Sequence, residues 1–125
     1  DRSAKKINRY FTEAAQKGAP KDVETYLQIC EQLGIEPKEE DMPVDPMLDF
    51  ELPAQQAFFV YNVLPDKIDS MGGVWLGKDF SGIGDILDIY APSNKREVLD
   101  YLIYMIQTAR SAYAKERELQ SKLQS

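Results

Sequence analysis

Histidine is absent from this sequence, cysteine and tryptophan each occur once, and no apolar run approaches the ~20 residues of a membrane helix. Without histidine, the commonest general base and the commonest metal ligand are missing. A lone Cys30 excludes an intrachain disulfide, which suits a reducing compartment. It falls on an apolar helical stripe and reads as a core residue rather than a nucleophile. Positive charge is also short, with 15 Lys and Arg against 21 Asp and Glu and a formal charge of −6. General nucleic-acid binding needs a basic footprint, so that class is set aside, and the charge favours solubility or a basic partner. These absences lead to the expectation of a cytoplasmic protein without cofactor, metal or catalytic residues.

What the chain does hold is helical periodicity. At 125 residues, with 43% apolar side chains, one domain with one core is expected. Ile7, Tyr10, Phe11, Ala14 and Ala15 fall on one helical face, with Gly18 as a stop and Pro20 opening the next run. Val23, Leu27, Cys30 and Leu33 make a second stripe, closed by Gly34. The short turn between the two runs predicts an antiparallel helical hairpin over 1–34.

Residues 35–52 break the pattern as an acidic connector. Pro37, Pro43 and Pro46 disfavour helix, while Asp41, Asp45 and Asp49 stand among seven carboxylates. The connector reads either as a solvated linker or as an acidic arm for a basic partner. Met42, Val44, Met47, Leu48 and Phe50 are too apolar for a free linker and predict that it lies against the body. Pro53 then fits the first position of a helix whose apolar face is Ala57, Val60, Tyr61 and Leu64, ended by Pro65. Asp66–Met71 is expected to form a short helical turn. Ile83, Ile86, Leu87 and Tyr90 return to helical spacing. The longest element follows Pro92-Ser93, where Asn94 and Glu97 form a capping-box-like start. Its inward seam runs through Val98, Leu102, Met105, Ala109, Ala112, Leu119 and Leu123. The polar end KERELQSKLQS is expected to project or fray.

Between those helices lies Met71–Tyr90, with five of the seven glycines and the only tryptophan. Val74, Trp75, Leu76 and Phe80 interleave with the glycines, so an ordered, folded-back loop is expected. Trp75 in such a loop is either a core plug or an interface anchor. Gly72–Lys78 matches the start of a phosphate-binding loop, but Asp79 stands where a Ser or Thr must hold Mg²⁺. The match is read as chance. Asp79, Asp85 and Asp88 would serve a metal or a carboxylate-based enzyme only by converging. Solvated or helix-start roles are the simpler reading.

Trp75, Gly82, Gly84, Asp88 and Tyr90, in W-x-G-x-x-F-x-G-I-G-D-I-L-D-I-Y before a helix, resemble small bacteriophage tail-assembly chaperones. The chain lacks a contiguous Gly-Leu-Asp-Tyr and the polar-basic residues expected around the tryptophan. The resemblance covers about a sixth of the sequence and implies a non-enzymatic protein that binds an extended partner during virion assembly.

The sequence therefore predicts an all-α single domain, a bundle of about five helices with a long C-terminal helix and an ordered Gly/Trp loop. Residues 53–92 hold the helix and that loop, and 93–125 the long helix. The expected function is a protein–protein interaction module, with Trp75, Leu76, Phe80 and Tyr90 and the acidic Asp41, Asp45 and Asp49 at its contacts. The alternative is an acidic nucleic-acid mimic that occupies the basic groove of its target.

Overall fold

The computed structural model describes residues 2–16 and 19–124. The stop expected at Gly18 lies outside them. Among these residues the chain forms six α-helices, a short 3₁₀ turn and one two-stranded sheet. The helices are α1 (Arg2–Ala15), α2 (Val23–Leu33), α3 (Pro46–Asp49), α4 (Leu52–Val63), α5 (Ile83–Tyr90) and α6 (Lys95–Gln124). The strands are β1 (Asp66–Ile68) and β2 (Trp75–Lys78).

Helix α6 is the axis of the molecule. Its 30 residues span ~45 Å at 1.5 Å per residue. Val98, Leu102, Met105, Ala109 and Ala112 are buried on the seam that the periodicity gives. Two helices pack along that seam. From α1 come Ser3, Ile7 and Phe11, one i, i+4 stripe; from α4 come Ala54, Ala57 and Val60, followed by Leu64. Small alanines on α4 let its backbone approach α6 closely, and the larger Leu102 and Met105 fill the space. Truncating Leu102 there would cost about 2–5 kcal/mol. An aromatic cluster fastens the α1 side. Tyr10 meets Phe11, Phe50 and Phe58 edge-on, and Phe11 meets Tyr61 with centroids 5.0 Å apart.

The partner of α1 is α6, not α2. The expected hairpin is replaced by a lightly packed α2 that buries Cys30 but leaves Val23, Leu27 and Leu33 exposed. Asp22 caps it by accepting from Thr25 N–H at 2.7 Å, and Gly34 N–H returns to the carbonyls of Cys30 and Glu31. Local capping thus makes the helix, while α6 offers α1 the larger apolar surface.

The acidic connector lies on the body through Val44 and Phe50, both buried, while Met47 and Leu48 stay in water. Two cations of α1 hold its backbone. Arg9 Nη2 donates to the Met42 carbonyl and Lys6 Nζ to the Asp49 carbonyl at 3.3 Å.

The segment expected as a helical turn, Asp66–Met71, is instead a strand and a turn. Pro65 cannot extend α4, Leu64 is already in the β region, and the chain doubles back so that Asp79 N–H reaches the Pro65 carbonyl at 2.8 Å. The pairs are Asp66 with Lys78, Lys67 with Gly77 and Ile68 with Trp75, irregular between Lys67 and Ile68. The Gly/Trp stretch is therefore ordered as expected, but half of it is the return strand of a β-hairpin.

Candidate functional site

Strand β2 lies against α6 at Gly77, whose positive φ is what favours glycine there. It is buried with φ 120°, and a Cβ there would sit 3.5 Å from both Ile106 and Arg110. Its neighbours in the strand build a polar knot at the foot of α4. Lys78 Nζ meets Asp66 Oδ1 at 2.9 Å, donates to the Leu64 carbonyl at 3.2 Å and stands 4.5 Å above the Tyr61 ring. The ammonium side chain is only 8% exposed, whereas Asp66 is 52% exposed. The hydrogen bonds from Lys78 and Trp75 hold the Asp66 carboxyl below the usual carboxylate range. Burial, with Asp66 and Tyr10 nearby, pushes the Tyr61 hydroxyl up to about 12.

Trp75 belongs to this knot. Its Nε1 donates to Asp66 at 3.0 Å, its ring meets Tyr113 of α6 edge-on at 6.1 Å, and it is half-buried against the core. Of the two roles open to it, the packed one is what the contacts describe. Lys78 is fully engaged by Asp66, Leu64 and Tyr61, and β2 leads into a turn rather than directly into a helix, so Gly72–Lys78 does not have a phosphate-loop setting.

The other predicted residues are dispersed. Leu76 and Phe80 are exposed on and after β2, and Tyr90 is exposed at the end of α5. Asp45 caps α3 by accepting from Met47 N–H at 3.0 Å, and Asp49 Oδ2 accepts from Asp45 N–H at 2.8 Å. Both carboxylates are spent on folding the connector, while Asp41 sits exposed on the 3₁₀ turn. Asp79 accepts from Ser81 N–H, Asp88 pairs with Lys95, and Asp85 occupies the first turn of α5. Among the described residues no three such side chains cluster to hold a metal, and no helix is long and apolar enough to cross a membrane.

The structure assembles a surface that the sequence reading passed over. Helix α4 carries no charged residue in any of its 12 positions. Its inner side faces α6, yet its outer side, Leu52, Phe59 and Val63 at i, i+7, i+11, lies in water. Phe59 is 52% exposed and meets the Tyr90 ring at 4.8 Å, which joins α4 to the exposed Ile89 of α5. Gln56 pins the two helices by donating to the Tyr90 carbonyl at 3.2 Å and accepting from Asn94 at 2.8 Å. The signal was present in the sequence as the uncharged run LPAQQAFFVYNV. An uncharged helix with large apolar side chains on its outer as well as its inner side offers a second surface for packing.

The arrangement offers apolar contact: an uncharged ridge on which the Phe59 and Tyr90 rings meet at a tilt of 49°, flanked by Glu51 and Asp85, with the Asp88–Lys95 pair beside it. No family model matches the chain, and comparison with curated proteins and with solved structures found no significant match.

Proposed function

We propose that this chain is a non-enzymatic protein–protein interaction module that docks a basic helical segment on the α4–α5 face. The observation that carries the reading is the outer side of α4, uncharged throughout, with Leu52, Phe59 and Val63 exposed beside Tyr90 and Ile89. Exposed apolar side chains grouped in this way mark interaction sites, and paired aromatics are preferred anchors. The acidic flanks and the net charge of −6 favour a basic partner. The resemblance of Trp75–Tyr90 to phage tail-assembly chaperones supports an assembly role for such a module, and Tyr90 is where that signature meets the face.

A photo-crosslinking residue placed at Phe59 in expressing cells tests the reading, with Asp100, exposed on α6, as the control position. Protein adducts are expected at position 59 and not at 100. Equal adducts at both positions, or none at 59, overturn it.

A further inference from the structure

The α6 seam does not end where the domain does. Its buried positions repeat at alternating steps of four and three: Val98, Leu102, Met105, Ala109, Ala112. The same rhythm continues through Glu116, Leu119 and Leu123, where Leu119 is 52% and Leu123 72% exposed. Helix α1 stops at Ala15, and Leu119 and Leu123 of α6 lie in water. Among the uncovered apolar helix faces of the described residues, which include the outer stripe of α2, the α6 tail and the α4–α5 ridge form a pair.

Their sizes and charges match. Ala112–Gln124 is ~20 Å long and α4 is ~18 Å, at 1.5 Å per residue. Beside the ridge stand Glu51 and Asp85, with Asp88 neutralised by Lys95. The tail holds Lys115, Arg117 and Lys122 against Glu116 and Glu118, the last paired with Lys122. Like surfaces oppose each other badly. Two tails in parallel would place Glu116 on Glu116 in the seam, and two antiparallel tails would set Lys115 against Lys122 across it. Two ridges would bring the acidic flanks of both copies, Glu51 and Asp85, together.

We propose that the α6 tail of one copy, through Leu119 and Leu123, docks on the α4–α5 ridge of the next. This inference rests on the α4–α5 face being a docking surface and names its occupant as a second copy of the chain. The contact is head-to-tail. Each copy therefore keeps one free ridge and one free tail, and association continues into an open chain or closes into a ring. The buried patch is small, so assembly is reversible and concentration-dependent.

Complementation decides the matter. Phe59→Glu removes the ridge and Leu119→Glu/Leu123→Glu removes the tail, all three at exposed positions, with unchanged helicity and melting temperature as the check on folding. Sedimentation of the wild-type chain should show a mean mass that rises with concentration towards the millimolar range. Each variant alone should stay at the monomer mass. Their equimolar mixture should reach twice that mass and stop, because only one ridge–tail pair is left intact. A wild-type chain that remains monomeric throughout, or either variant associating by itself, overturns the proposal. If the wild type is monomeric while position 59 still crosslinks to another protein, self-association falls and the interaction-module reading stands.

Discussion

Trp75 and Lys78 share one oxygen: the indole N–H reaches Asp66 Oδ1 at 3.0 Å and the ammonium meets it at 2.9 Å. A tryptophan tied in this way, with its ring against Tyr113, is a strut between the hairpin and α6. Its place on a glycine-rich stretch says nothing of this, because Asp66 is nine residues away across a turn.

Trp75→Ala is expected to destabilise the fold by roughly 2–4 kcal/mol, below the cost of a fully buried tryptophan because the ring is only half-covered. Trp75→Phe, which keeps the packing and loses the hydrogen bond, should cost about 1 kcal/mol. Urea midpoints read both. An unchanged midpoint for the alanine variant would return Trp75 to the role of a free anchor.

The Asp66 carboxyl titrates lower in the folded chain than in the unfolded one, held first by Lys78 and then by Trp75. Its stabilising contribution is therefore complete above the unfolded carboxylate value near ~4 and is lost as pH falls through the folded value. Asp66→Asn should be less stable than wild type at neutral pH, and the gap should narrow below about pH 4. Lys78→Met, which removes the buried charge together with its need for a partner, should cost less than Asp66→Ala, which strands it. Melting temperatures across an acid series give both comparisons. A gap that widens on acidification would contradict the assignment.

Two glycines two residues apart should respond with opposite signs. Gly82, the residue before α5, has φ 78°, so an L side chain is strained there even though space is open. Gly82→Ala should cost about 1 kcal/mol. Gly84 lies inside α5 with nothing within 4 Å of an added Cβ, and Gly84→Ala should stabilise by about 0.5–1 kcal/mol. Thermal unfolding of the two variants checks the pair, and a loss at Gly84 would show that the helix is not formed as described.

Arg9 bridges Glu13 on its own helix and the Met42 carbonyl of the connector. Arg9→Ala should loosen residues 42–50 locally, by about 1–2 kcal/mol, while leaving the α1–α6–α4 core intact. Hydrogen exchange would show faster amides at Phe50 and Asp49 and unchanged ones at Leu102. Equal acceleration everywhere would mean that the connector belongs to the global unfolding unit.

By itself the sequence determined what depends on neighbours three or four residues away. The 3.6-residue rhythm located α1, α4 and α6, identified the α6 seam from Val98 to Ala112, and placed Cys30 in the interior. Tertiary contact decided the rest. Strands β1 and β2 are short and show no clean alternation; they pair because Pro65 turns the chain, Gly77 takes a φ of 120° beside α6, and Lys78 finds Asp66 and Tyr61. The pairing α1–α6 prevails over α1–α2 because the α6 seam offers more apolar surface than the Val23–Leu33 stripe. The candidate face was legible only in part. Tyr90 stood out in the sequence, but Phe58 and Phe59 are alike in a helix without charged residues. Only the positions of Phe50 and Tyr10 on one side and α5 on the other turn Phe58 towards the core and leave Phe59 in water, because packing partners distant in sequence choose which side of such a helix is buried.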